Sequence, residues 1–264
     1  MGFGPLPVYL ALIFFIQSFI VYAIAVYYKD VDPVFPYLSS AADKRPESCV
    51  FAIGTNVSSV LLAILVFIRC RQIESICEKF DDIVGIAIYN CSSKWIGFIS
   101  SFGMFIVANV QETANIPIHM TAAVVTFGGF CLYMILQCII TYKLTPLVTL
   151  QFVFTYRATC TALSVIAFFS AIGFGILASH IYHQTYPDLP TPRPWSRHFY
   201  QPGYFFHQVS AISEWVCAVS QIFFILSFGP EFEEISFDYV LTSNLYAPSR
   251  QGDVDPENEW MENV

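Results

Sequence analysis

The sequence predicts an all-α, polytopic membrane bundle of about six transmembrane helices with both termini cytosolic. Three observations predict it. Only 12% of the 264 residues are charged, although 56% are hydrophobic, whereas a water-facing domain needs roughly a quarter charged. Six apolar stretches reach the length of about 20 residues that a helix needs to cross hydrocarbon. Alternating barrel-type patterning is absent, so helices are left to satisfy the backbone in lipid.

The stretches run over 6–28, 48–69, 95–111, 118–142, 159–181 and 206–228. The first lacks a basic leader and a small-residue cleavage site and is too long for a signal core, so it is read as a retained helix. The third is short and is expected to extend by a few residues at one end. Between the spans, 29–47 is a polar connection carrying Pro33, Pro36 and Pro46, and 70–94 is the most charged loop. Residues 112–117 form a tight turn at Pro117, and 143–158 connect with few charges. Residues 182–205 hold five prolines, which rule out helix throughout. These spans place the transmembrane domain at 1–228 and an acidic cytosolic tail at 229–264, largely disordered beyond about Tyr246. That tail carries nine carboxylates against one base, Arg250, so the net charge of −8 belongs to it, and nucleic acid is excluded as a partner. No internal repeat supports an inverted-repeat transporter.

Orientation follows from Lys and Arg. Cytosolic termini put Arg69, Arg71, Lys79, Lys94, Lys143, Arg157 and Arg250 in the cytosol, against Lys29, Lys44, Arg45, Arg193 and Arg197 opposite. The sequon at Asn90 then faces the cytosol, and the sequon at Asn56 lies inside the second helix, so neither is glycosylated. The eight cysteines do not form a secreted disulfide framework. Cys131, Cys138, Cys160 and Cys217 sit in apolar runs and behave as small hydrophobes. Cys70, between Arg69 and Arg71 at a helix end, is either palmitoylated or a free juxtamembrane thiol.

Polar residues inside lipid are expensive and mark packing contacts or sites. His207, Glu214 and Gln221 recur every seventh residue on one face of the last span, with Ser210 and Cys217 between. Glu214 lies about 12 Å in from the non-cytosolic end, at roughly 1.5 Å per residue. Asn56 reaches a similar depth on the second span, beside Thr55, Ser58 and Ser59. Asn109, Gln111 and Glu112 close the third span on that side, and His119 and Thr121 open the fourth. Two readings remain open: interhelical hydrogen bonds that fix packing, or a lumenal-side polar cleft in which an acidic lumen titrates Glu214. His180, His183 and His198 beside the proline-rich loop are solvated imidazoles or acid sensors without a metal signature, and no metal or cofactor is expected. The zincin, nucleophile-elbow and P-loop templates find no match, so no enzyme is expected. Gly128 and Gly129 mark a close helix approach.

Four segments, PYLSSAADKRPESCVFAIGTN from Pro36 to Asn56, SSFGMFIVANVQET, LYMILQCIITYKL and SEWVCAVSQIFFILSFGPEFEEISF, resemble the damage-regulated autophagy modulator family. That family lies within a membrane-protein superfamily that includes the Frag and Sfk proteins. The resemblance implies six spans, cytosolic termini, a lysosomal or related endomembrane address, and promotion of autophagy and of cell death linked to it. Asn56, Asn109, Glu112 and Glu214 fall in these segments. Departures are the proline- and histidine-rich loop and the acidic end, and no dileucine or tyrosine sorting signal stands in the tail. Membrane lipids are the expected partners, with other membrane proteins a further candidate. Alternative roles are a plasma-membrane organiser of lipids or phosphoinositide-kinase complexes, and a conductor of small solutes.

Overall fold

The computed structural model describes residues 2–79, 85–190, 192 and 198–236. Among them six helices are long and apolar enough to cross a membrane, and no strand occurs. They are α1 (Pro5–Tyr27), α2 (Glu47–Lys79), α3 (Ile86–Asn109), α4 (Ile116–Leu144), α5 (Gln151–Thr185) and α6 (Tyr204–Leu226). A short seventh, α7 (Gly229–Glu233), follows, and one turn of 3-10 helix, Ser40–Ala42, lies between α1 and α2. Each long helix packs on the next, and α1 also touches α6, which closes the ring. The Phe3 N–H donates to the Phe232 carbonyl over 2.8 Å, so the beginning of α1 and the end of the described chain share one face. We call this the terminal face, and the opposite one, holding 28–46, 110–115, 186–190 and 198–203, the distal face.

The burial pattern is that of a protein solvated by lipid. Phe19, Ile53, Phe102, Phe152, Ile166 and Phe169 point outward, while Ser58, Ser100, Thr141 and Ser164 are wholly buried. Without water there is no hydrophobic force between helices, so close approach and interhelical hydrogen bonds hold them together. Ser101 Oγ donates to the Ser59 carbonyl at 2.6 Å and Ser100 Oγ to the Thr126 carbonyl at 2.7 Å, joining α2, α3 and α4. Gly97 and Gly103 let α3 approach so near that a Cβ on either would stand under 3.0 Å from Val66 or Thr126.

Several boundaries differ from the expected ones. α2 runs ten residues beyond Arg69 and α3 begins at Ile86, so most of 70–94 is helix, not loop. Hydropathy detects only the part of a helix that sits in hydrocarbon. At 1.5 Å per residue α2 is about 50 Å long, well beyond the roughly 30 Å core, and Arg71, Glu74 and Lys79 are good helix formers that continue it into water. The Asn90 sequon is therefore helical as well: Asn90 is buried and its Nδ2 donates to the Cys70 carbonyl at 3.0 Å. α5 likewise outruns its expected bounds at both ends. Pro117 stands in the first turn of α4, where its missing N–H is not needed, behind an Asn115 N-cap that accepts from Ile118 N.

At the start of α6, Gly203 has φ +80°, and a Cβ there would lie 2.4 Å from the Ala178 carbonyl oxygen. Gly203→Ala should therefore lower the thermal stability of the detergent-solubilised protein, by at least about 1–2 kcal/mol from backbone conformation alone. A melting curve equal to that of the wild type would show that the backbone there relaxes freely.

The segment from 229 onward, read from sequence as tail, is helical and docked where it is described, with Phe232 buried against the core cluster of Leu10, Leu65, Phe224 and Phe228. The disorder expected beyond Tyr246 concerns residues outside the described ones, as do Arg193, Arg197 and Arg250.

Candidate functional site

The connection between α1 and α2 is not a solvated strap. Residues 36–43 turn inward and seal the distal mouth of the bundle, with Leu38, Ser40, Ala41, Ala42 and Asp43 all buried. Small side chains allow this descent, and polar groups of α6 and of the α3–α4 turn hold it. Trp215 Nε1 donates to the Pro36 carbonyl at 2.9 Å. Tyr37 Oη donates to Ser210 Oγ at 2.7 Å, which in turn donates to the Ala171 carbonyl. The Leu38 N–H donates to Glu214 Oε2 at 3.2 Å, and Ser40 Oγ donates to Glu112 Oε2 at 2.8 Å. Asp43 accepts from Thr113 N at 2.8 Å and from Thr113 Oγ1 at 2.7 Å. The Leu38 N–H and the Ser40 hydroxyl that the loop takes out of water thus each find a carboxylate, and the Tyr37 hydroxyl finds Ser210, as burial requires.

Beneath this plug lies a cavity of about 90 Å³. Apolar side chains of α1, α2, α4 and α6 form most of its wall, and Glu214, His119, Gln17 and Gln221 supply polar groups. His119 Nδ1 is 2.6 Å from the Val110 carbonyl. Since a carbonyl only accepts, Nδ1 carries a proton, and the buried Nε2 is left without a hydrogen-bond partner. A void of this size has room for about three waters at roughly 30 Å³ each.

Of the candidate residues, His119, Glu214 and Gln221 meet at this cavity. Glu112 lies just outside it, in the α3–α4 turn beneath the plug. Burial raises its carboxyl above the ordinary value of 4.5, and the neighbouring Asp43 adds to the rise, against the Ser40 hydroxyl and His119, which lower it. Asn56 and Asn109 are elsewhere. They exchange amide hydrogen bonds at 3.2 and 2.8 Å between α2 and α3, toward the outside of the bundle, a packing contact of the kind the first reading describes. His207 stands edge-on to Tyr37, with ring centroids 5.0 Å apart, in a separate small cleft with Asp32 and Tyr204. Cys70 is enclosed between α2 and α3, its Sγ 3.3 Å from Glu74 Oε1; acylating it would require those helices to part.

A second polar centre, on the terminal face, escapes the reading of the sequence. Arg69 of α2 and Arg157 of α5 are both fully buried, and their guanidinium carbons lie 4.8 and 4.5 Å from the centre of the Phe228 ring. Glu231 of α7 bridges them: its Oε1 is 2.8 Å from Arg157 Nη2 and its Oε2 bonds Arg69 Nη1. Arg69 Nε also donates to Gln137 Oε1 at 3.1 Å, and Arg157 donates to Ser227 Oγ, Thr141 Oγ1 and the Ser227 carbonyl. Counting both arginines as loop charges for orientation hid the signal, which is that a base flanked by apolar helix needs a buried acid.

Fold and site together define a six-span helical membrane protein with a plugged distal chamber and a charge-locked terminal face. The chain belongs to the Frag1/DRAM/Sfk1/Cwh43P family, whose N-terminal domain matches residues 2–235, a stretch that includes the plug and Glu231. Among its relatives, DNA damage-regulated autophagy modulator protein 2 of Bos taurus is 28% identical, over 81% of this chain and 78% of its own. DNA damage-regulated autophagy modulator protein 1 of Homo sapiens is 30% identical over 81% and 84%. Modulator of macroautophagy TMEM150B of Danio rerio is 34% identical over 59% and 67%. No solved structure matches the chain.

Proposed function

We propose that this protein is a non-enzymatic regulator that promotes autophagy from the lysosomal membrane, with both termini in the cytosol and the plugged face toward the lumen. The relatives' names support the process. The observation that carries the location and mechanism is the plug itself, held over a buried cavity by Glu112, Glu214 and Asp43. Carboxylates that fasten a lumenal loop make it responsive to lumenal pH.

The direction of that response follows from Glu112. A carboxyl whose folded pKa is raised binds more protons folded than unfolded between the ordinary value of 4.5 and its raised value, so stability grows as pH falls through that window. Asp43, His119, Ser39, Ser40 and Glu214 are the titratable and polar groups around it. Acid therefore tightens the plug at Glu112, and neutral pH loosens it. Hydrogen-exchange protection at 36–43, taken relative to the intrinsic amide rate at each pH, should be higher at about pH 5 than at about pH 7. Glu112→Gln, neutral at every pH, should flatten the difference. Equal protection at the two pH values in the wild type would refute the acid-tightened plug.

The cellular test is to locate the tagged protein and measure autophagic turnover after its deletion, then after re-expression of the wild type or Glu112→Gln. Lysosomal staining with turnover lost on deletion and restored by the wild type is the expected result. Residence at the plasma membrane, or turnover indifferent to deletion, would overturn the proposal. The solute-conducting alternative finds less support, because the cavity is small, about 90 Å³, and walled mostly by apolar side chains.

A further inference from the structure

Where α4, α5 and α6 meet, in mid-bundle, two thiols share their partners. Cys131 of α4 and Cys217 of α6 are both buried and belong to one apolar cluster with Ala167, walled by Phe127, Val165 and Phe168. Ser164 Oγ of α5 is 3.3 Å from Cys131 Sγ and 3.5 Å from Cys217 Sγ. Gln221 Nε2 stands 3.7 Å from the first sulfur and 3.5 Å from the second, and also contacts Ser164 Oγ at 3.3 Å and the Phe127 carbonyl at 3.1 Å. Apolar packing alone places no such donors around a sulfur. Elsewhere Cys138 contacts Thr161 Oγ1 at 3.2 Å and Cys70 contacts Glu74 Oε1 and Asn90 Nδ2 at 3.3 and 3.5 Å, in each case one sulfur rather than two on a shared set of partners, and Cys49 and Cys91 face outward.

We propose that Cys131 and Cys217 are a redox-active dithiol, closed to a disulfide by hydrogen peroxide. The thiolate is the nucleophile in such chemistry, and two polar groups, the Ser164 hydroxyl and the Gln221 amide, converge on Cys131. The Cys131 thiol gives up its proton and its sulfur attacks one peroxide oxygen. The O–O bond breaks, and the departing hydroxide takes that proton as water, leaving a sulfenic acid. The Cys217 sulfur then attacks the oxidised sulfur. The S–O bond breaks, and the hydroxide leaves with the Cys217 proton as a second water. Two thiols are oxidised by two electrons and one peroxide is reduced. Peroxide is small and uncharged, and the cavity under the plug adjoins the pair: Gln221 and Phe127 line it, and Gln221 reaches from that wall to both sulfurs. The disulfide ties α4 to α6 across α5. Phe127 and Phe130 on one helix and Ala218 and Gln221 on the other are cavity wall, so the bond fixes the chamber's shape.

The full-length protein in lipid nanodiscs, treated with hydrogen peroxide, differentially alkylated and mapped by mass spectrometry without reduction, tests this. Expected is a peptide pair joined through Cys131 and Cys217, lost on adding dithiothreitol, while Cys138 and Cys160 stay alkylatable. Cys217→Ser and Cys131→Ser, each a near-isosteric change checked by gel filtration, should abolish the link. Gln221→Leu should slow its formation roughly tenfold, the effect of one lost hydrogen bond to a charged sulfur. If Cys131 and Cys217 stay free in the wild type while Cys49 and Cys91 oxidise, or if the bridge joins other cysteines, the proposal fails. An unaltered rate in Gln221→Leu removes Gln221 from it.

Discussion

Glu231→Gln should destabilise the protein by about 3–5 kcal/mol, the scale for breaking a buried ion pair by removing one partner. Glu231 is the acid shared by two guanidiniums that are almost wholly inaccessible, 1% and 0% exposed. Glutamine keeps the shape but leaves two positive charges side by side with no counter-charge. Gln137, Ser227 and Thr141 still accept their hydrogen bonds, yet a dipole cannot offset a full buried charge. The loss should appear as a lower midpoint in detergent unfolding, with early hydrogen exchange at α7 and at the N-terminus of α1, which Phe3 joins to Phe232. Replacing all three charges together, as Arg69→Met, Arg157→Met and Glu231→Leu, should cost less than Glu231→Gln alone, because no charge is then left stranded. If Glu231→Gln unfolds like the wild type, the lock is not a stabilising element. The same geometry explains why this part of the chain folds with the bundle although its composition resembles the acidic residues after it.

What the sequence disclosed, and what it concealed, divides along the line between hydropathy and geometry. A window of hydrophobicity reports a helix wherever it is immersed in lipid, and for that reason it found six spans and cut α2 and α3 at the membrane surface. The spacing of Glu214 and Gln221 by seven put both on one face without further knowledge, and both line the cavity. His119, placed at the distal start of α4, joins them. Asn56 and Asn109 were legible as two amides in the same half of the membrane, and they pair. The plug was not legible: Ser39, Ser40, Ala41, Ala42 and Asp43 between prolines have the composition of a surface turn, and nothing local tells a turn that descends into a bundle from one that lies on it. Only the acceptors waiting on α6 and in the α3–α4 turn decide that, and those are more than 70 residues away. Arg69 and Arg157 were concealed by a rule that treats bases as markers of sidedness. Their burial depends on Phe228 and Glu231, which arrive from the far end of the chain.

The distal face offers the complementary experiment, on Asp43. Its two oxygens take the Thr113 N–H and hydroxyl at 2.8 and 2.7 Å, so a single carboxylate ties the plug to the α3–α4 turn. Hydrogen bonds to a charged group contribute about 1.5–3 kcal/mol each, and a buried donor left without a partner costs about 1–3 kcal/mol. Asp43→Ala should therefore weaken the distal face by about 3 kcal/mol, allowing water to satisfy part of what is freed. That loss should be local. Hydrogen exchange should rise at 36–43 and 110–115, while α7 and the Arg69–Glu231–Arg157 lock on the opposite face keep their protection, since the two sites share no side chain and distant losses add independently. Asp43→Asn, which can still accept one bond, should lie between. Exchange rising equally on both faces would mean that plug and lock open as one unit, and the pH response assigned to Glu112 would then belong to the whole bundle rather than to its distal mouth.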